Sequence, residues 1–160
     1  MRYLLLFSLT LLLNSLFAQD TATVENSTYE IGDTIGPIQV RFPLGDDQFG
    51  NYTVETMRPI DSVIQILEAN PTIHVEIAEH TEARGTAENN LKFSENRAKH
   101  IKDLMIYEGI SEDRLTAKGY GEDQPILEEK YINQFRKTDR EKFERLHQRN
   151  RRTLFIVTEN

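Results

Sequence analysis

The stretch His80-Thr81-Glu82-Ala83-Arg84-Gly85, followed at fixed distance by Asn90, Ser94, Arg97 and Ala98, decides the reading of this chain. Just before it, Ile73, Val75 and Ile77 alternate with His74 and Glu76, the period-two pattern of a strand with one buried face. Just after it, Ala98, Ile101, Leu104 and Met105 share one side of a helix running from about Asn89 to Glu108, with Gly109 as its stop. The stretch therefore sets a carboxylate, an amide and a guanidinium where a strand gives way to a helix. Helical side chains lean toward the N-terminus, so Arg97 points back at the loop that carries Glu82. The free N–H groups of the helix start favour a bound carboxylate, and an Arg fork can hold one through two parallel bonds. Glu82 can hold an ammonium on the same ligand. The two residues also admit a plainer reading, an ion pair that closes the loop.

Working outward, Ile38, Val40 and Phe42 mark a first strand over Ile35 to Phe42, ended by Pro43 and the Gly45-Asp46-Asp47 turn. Ile60, Val63, Ile64 and Leu67 fall at i, i+3, i+4 and i+7, the apolar face of a first helix. Pro59 fits its first turn, Asp61 suits its positive end, and it stops before Asn70-Pro71. Leu115 and Ala117 mark a short third strand, and Thr153 to Thr158 a last one. Between them, residues 128–148 are highly charged, with Ile132, Phe135, Phe143 and Leu146 as a sparse apolar set. This segment reads as an inserted loop plus an exposed amphipathic helix. The order β-α-β-α-β-(α)-β predicts an α+β fold with a single sheet and the helices on one face.

The ends and the composition narrow the function. Met1-Arg2, an apolar run from Tyr3 to Leu13, and Ser15-Leu16-Phe17-Ala18 before Gln19 make a signal peptide over residues 1–18. Its retention as an anchor is the alternative, although the run is short for a membrane span. Residues 19–33 are polar and read as a flexible leader, and 34–160 as one domain. Cleavage removes Arg2 alone among the charged groups, so the net charge of -7 becomes −8. An acidic chain is a poor nucleic-acid binder. No second long apolar run follows, so no transmembrane span is expected after cleavage. With no Cys, disulfides and Cys-ligated metals are excluded.

Chemistry beyond binding finds little support. The four His show no zinc-motif spacing, and His80 reads as a packed or hydrogen-bonded side chain. Glu128-Glu129 and Asp46-Asp47 sit in turn-like contexts, and no nucleophile motif or phosphate loop occurs. The basic groups between Arg136 and Arg152 are interleaved with acids, as on a solvated helix face. No catalytic residue, cofactor or metal is expected.

Further on come Gly119-Tyr120-Gly121-Glu122-Asp123-Gln124-Pro125 and Asn150-Arg151-Arg152. In this order and spacing the segments resemble the OmpA-like peptidoglycan-binding domain, the family of the C-terminal domain of OmpA and of peptidoglycan-associated lipoprotein. The resemblance runs from about Ile35 to Val157. It implies an OmpA-C-like sandwich with one mixed sheet, in a stand-alone secreted form. It also implies a non-catalytic domain of the Gram-negative periplasm, peripheral to the outer membrane, that binds the diaminopimelate of the peptidoglycan stem peptide and tethers or organises the cell envelope. Thr81, Glu82, Asn90, Arg97 and Arg151 fall at the family's binding positions, with Ser94 and Arg152 secondary; Asn90, Ser94, Arg97 and Arg151 also match in residue type. Glu82 would hold the ammonium, Arg97 the carboxylate, Asn90 a hydrogen bond, and Arg151 would close the site. Three positions depart from the family pattern: Glu82 stands for Asp, Phe93 for Leu and Glu79 for Gly. The Glu82 change and the charged insert motivate a second reading. In it the fold serves as an assembly subunit with an envelope protein partner and weak or no peptidoglycan binding.

Overall fold

The computed structural model describes residues 28–38, 40 and 54–160. The expected signal peptide, the expected leader up to residue 27, and Phe42 with the turn expected after it lie outside the described residues. The elements are β1 (Thr34–Ile38), α1 (Val54–Ala69), β2 (His74–His80), α2 (Ala87–Tyr107), β3 (Leu115–Gly121), α3 (Glu129–Ile132), α4 (Arg140–Asn150) and β4 (Arg152–Glu159), with 3-10 turns before β3 and after α3.

The sheet order is β1-β4-β2-β3. β2 and β3 run parallel with α2 as the crossover, while β4 lies antiparallel to both β1 and β2. The sheet is therefore mixed, as the sequence predicts. Period two carries Val75 and Ile77 of β2, Leu115 of β3, and Phe155 and Val157 of β4 to one face. There they meet Ile60, Val63 and Leu67 of α1 and Ala98, Ile101 and Met105 of α2. All are at most 3% exposed. Burial of each large aliphatic side chain contributes about 1.5–3 kcal/mol, and this face is the main core.

α2 has a clear start and stop in the sequence. Thr86 caps it, accepting from the Asn89 N–H at 3.2 Å. At the other end Gly109 takes φ 104, the Ile110 N–H reaches the Met105 carbonyl, and the Gly109 N–H reaches that of Ile106. This is a Schellman stop, and Ile110 tucks into the core behind it. α1 differs from expectation. It begins at Val54, which leaves Pro59 inside the helix rather than in its first turn. Pro59 lacks the N–H for one helical bond, and the flanking face at Ile60, Val63 and Leu67 outweighs that loss. At its far end the Arg114 guanidinium donates to the carbonyls of Leu67, Asn70 and Ile73 at 2.8–2.9 Å, satisfying acceptors the helix leaves open.

β3 also exceeds the short strand read from Leu115 and Ala117, running on through Gly119-Tyr120-Gly121. Glycine is needed there by proximity. A Cβ on Gly119 would lie 2.2 Å from the Glu95 backbone nitrogen and 2.5 Å from Ser94 Oγ. The segment 128–148 is more than a loop with an exposed helix. Ile132, Phe143 and Leu146 form a second small core with Leu127 and Phe135 around it. Its base is tied by Asn150, whose side-chain oxygen accepts from the Leu127 N–H and whose amide donates to the Leu127 carbonyl, at 2.9 and 2.8 Å.

Candidate functional site

Three elements meet at the end of β2. The Thr81 N–H, just past the strand, donates to the Gly121 carbonyl at 2.8 Å, and the chain then turns through residues 82–86 into α2. On the first turn of α2, the Asn90 amide donates to the Glu82 carbonyl at 3.2 Å and to the Glu122 carboxylate. One turn later the fully buried Ser94 hydroxyl donates to the Leu91 carbonyl and accepts from the Gly121 N–H at 2.8 Å. Asn90 and Ser94 thus pin the loop, the helix and β3 to one another.

Arg97 lies beyond them. Its guanidinium stacks over the Phe93 ring at 4.1 Å, one helical turn back. It pairs with Glu79 Oε1 at 3.7 Å. Burial pulls its pKa down from the ordinary value, helped by the nearby Arg151 charge, while Glu79 and Glu82 oppose the shift. Glu82 therefore acts on Arg97 through its charge, and a direct ion pair runs to Glu79 instead. Glu79 is 2% exposed and accepts from the Thr153 hydroxyl at 2.6 Å. Burial pushes its carboxyl up to about 7, against the opposing pull of Thr153, Arg97 and Arg152.

Glu82 turns toward the insert. One carboxylate oxygen, Oε2, lies 3.5 Å from Arg84 Nη2 and 3.5 Å from His147 Nδ1. The other lies 3.9 Å from Arg151 Nη1. Arg84 in turn bonds Glu144 of α4. Oε2 of Glu82 is buried yet has no hydrogen-bond partner, and the same holds for the Thr81 hydroxyl and both ring nitrogens of His147. Buried acceptors left so are costly, and a bound donor relieves the cost.

The residues expected at a binding site thus cluster: Thr81, Glu82, Asn90, Ser94, Arg97 and Arg151 surround one corner of the fold. Arg151 is the outermost, with 44% of its side chain exposed. Arg152 differs, since it donates to the carbonyls of Gln124 and Asn150 and so braces the backbone. His80 stacks on Tyr120 with centroids 5.0 Å apart, and burial beside Arg152 lowers its pKa to about 4. Among the described residues, no group of His, Asp and Glu is arranged to hold a metal ion.

Four neighbours were given no role at the site by the sequence reading, although Glu79 and Phe93 were noted as departures from the family pattern. Glu79 continues the buried parity of Val75 and Ile77, a signal that was present. Phe93 is four residues from Arg97, the spacing of side chains that touch on a helix. His147 joins Phe143, Leu146 and Asn150 on the buried side of α4, again at helical spacing. Glu122 had no local signal, since only the approach of β3 to α2 brings it to Asn90.

Comparison with known proteins identifies the family and the fold. The OmpA family model matches residues 42–139. The chain is 35% identical over 72 residues to the peptidoglycan-associated lipoprotein of Pseudomonas putida, spanning 45% of this chain and 43% of the lipoprotein. It is 32% identical over 69 residues to outer membrane porin F of Pseudomonas fluorescens, spanning 43% of this chain and 21% of the porin. The chain therefore spans less than half the length of either relative. The crystal structure of the peptidoglycan-associated lipoprotein from Burkholderia pseudomallei superposes with a TM-score of 0.54 at 20% identity, covering 74% of this chain and 87% of that one. Among the described residues, no helix is long and apolar enough to cross a membrane.

Proposed function

The chain belongs to the OmpA family, and on that premise we propose that it is a non-catalytic periplasmic domain that binds the diaminopimelate of the peptidoglycan stem peptide. Export through the segment 1–18 and a role in tethering or organising the envelope are part of this proposal. The observation that carries it is the Glu82 carboxylate, whose buried Oε2 has no hydrogen-bond donor, whose other oxygen lies 3.9 Å from Arg151 Nη1, and whose charge acts on the Arg97 guanidinium. An ammonium needs an acceptor of this kind, and a carboxylate needs an Arg fork. A zwitterionic amino-acid end offers both groups a short distance apart. Glu82 would take the ammonium, Arg97 the carboxylate, and Arg151 would close over the ligand. Thr81 adds a buried hydroxyl without a hydrogen-bond partner. Asn90 and Ser94 hold the loop in place and so act on the ligand through geometry. The names of the lipoprotein relatives support the same reading.

A specific observation favours a second reading. Glu82 and Arg97 already face internal charges, Arg84 and Glu79 respectively. A site paired within itself suits an assembly subunit that has an envelope protein partner and little hold on peptidoglycan.

Retention on purified sacculi separates the two. Under the binding proposal wild type is retained, and Arg97→Ala loses roughly tenfold in affinity per ~1.4 kcal/mol of pairing removed. Arg97→Lys recovers part of the loss, since a point charge cannot copy the fork. Glu82→Asp binds as well as wild type or better. If wild type, Glu82→Asp and Arg97→Ala are all equally unretained, the assembly reading replaces this one.

A further inference from the structure

Glu79 is the one ionisable side chain of β2 that faces the core. Parity puts it beside Val75 and Ile77, and the register sets it opposite Thr153 of β4. Its two oxygens have different partners. Oε2 accepts a short bond from the Thr153 hydroxyl, and Oε1 faces Arg97 Nη1 at 3.7 Å. The second distance is too long for a hydrogen bond, so the contact with Arg97 is one of charge and not a bidentate fork. Arg97 thus lies between an internal carboxylate on the core side and Glu82 and Arg151 on the outer side.

We infer that Glu79 is a positioning residue for Arg97, a built-in counter-carboxylate that competes with a ligand carboxylate for the same guanidinium, so that ligand binding takes up a proton at Glu79. The inference rests on the proposed function for the identity of the ligand. Its physical basis is the cost of a buried charge. An ionised carboxylate at 2% exposure is tolerated only while an opposite charge compensates it. A second carboxylate arriving at Arg97 shares that compensation and adds a like charge. Glu79 then binds a proton from solvent and keeps its bond from Thr153.

The surrounding groups set the range. Burial already holds the Glu79 carboxyl at about 7, so the proton is exchanged near neutrality. Arg152 of β4 and Arg97 of α2 act on Glu79 as cations, and Arg151 and Glu82 in turn act on Arg97. His80, its neighbour in β2, is neutral in this range, since burial and Arg152 keep it at about 4. His147 of α4 faces Glu82 at 3.5 Å. The comparison with a Glu79 variant therefore decides the matter, and the wild-type pH slope alone does not.

The experiment is calorimetric titration of the full chain with a diaminopimelate-containing muropeptide from pH 6 to 8.5, in buffers of different ionisation enthalpy. In wild type, binding takes up part of a proton and affinity falls with rising pH, by up to about tenfold per pH unit. Glu79→Gln keeps the shape and the Thr153 contact, loses the proton uptake, and binds with a flatter pH profile. Glu79→Gly, which restores the residue of the family pattern, behaves likewise. A Glu79→Gln protein with the wild-type proton count overturns the inference. So does one that binds more weakly at every pH with an unchanged slope, which marks support of the fold alone. A second readout needs no ligand: the Arg97 side-chain nitrogen resonances of wild type move with a midpoint near that of the Glu79 carboxyl, and those of Glu79→Gln do not. If no muropeptide binds to any variant, the proposed function fails, while the Arg97 titration still decides whether Glu79 governs Arg97.

Discussion

Gly119→Ala tests the packing that holds the site helix against the sheet. The added Cβ would meet the Glu95 nitrogen at 2.2 Å, Ser94 Oγ at 2.5 Å and Glu95 Cα at 2.7 Å. Ordinary contact begins at 3.4 Å, so α2 or β3 must retreat by roughly the 1.2 Å between 2.2 and 3.4 Å. Two of the three obstacles are backbone atoms, which cannot rotate aside. Retreat is resisted on both sides: Ser94 holds the Gly121 N–H at 2.8 Å, and Ala98, Ile101 and Met105 are packed to within 1% exposure. Overpacking of this kind costs about 1–3 kcal/mol, and backbone obstruction puts Gly119→Ala at the upper end. Since α2 also carries Asn90 and Arg97, the displacement reaches the groups proposed to form the binding site. Urea unfolding read by circular dichroism should show a lower midpoint at unchanged slope. Sacculus retention should fall in the same variant. An unchanged midpoint would refute the close approach of β3 to α2, and with it the geometry assigned to Ser94 and Gly121.

Ile77→Ala removes a fully buried side chain between the sheet and both helices, and should cost about 2–4 kcal/mol in the same assay. A midpoint like that of wild type would mean that the buried face of β2 is misassigned. Replacing residues 128–149 with a short Gly-Ser linker should leave cooperative unfolding of the main core, because the insert has its own apolar cluster. Amide exchange at residues 81–85 should rise as Arg84 and Glu82 lose Glu144 and His147. Loss of the cooperative transition would place Phe143 and Leu146 in the main core. The raised carboxyl of Glu79 also makes stability depend on pH. A carboxyl lifted in the folded state from 4.5 to about 7 contributes stability that is full below 4.5 and is lost as pH rises through 7. Wild type should therefore lose on the order of 3 kcal/mol relative to Glu79→Gln between pH 4.5 and 8. Parallel stability curves for the two proteins would count against this.

Local pattern carried much of this in advance. β2 and α2 show their periods and α2 shows its glycine stop, while it is the resemblance to the OmpA-like family that groups Glu82, Asn90, Arg97 and Arg151. What local pattern hides is long-range packing. Pro59 reads as a helix start because an interior proline is costly, and only the buried face around it shows why the cost is borne. The glycines of β3 enter the sequence reading only as part of a family motif, and the nearness of α2 explains them. Nothing local to Arg114 shows that it closes the end of α1. Likewise, the insert looks solvated from composition, because His147 and Asn150 belong to its buried side and neither is apolar.

The Leu127–Asn150 contact has a consequence for how this fold tolerates change. Two hydrogen bonds from one side chain join positions 23 residues apart, so whatever lies between them begins and ends at one fixed point. The entropy of closing a flexible loop grows only with the logarithm of its length, about 0.6 kcal/mol per doubling. The strand that follows Asn150 therefore experiences little of what happens between the two residues. Segments of quite different length and composition could be exchanged there without disturbing β4, and each would hang above Glu82. The tie acts as a socket, through which one scaffold could acquire different lids over the same pair of charges.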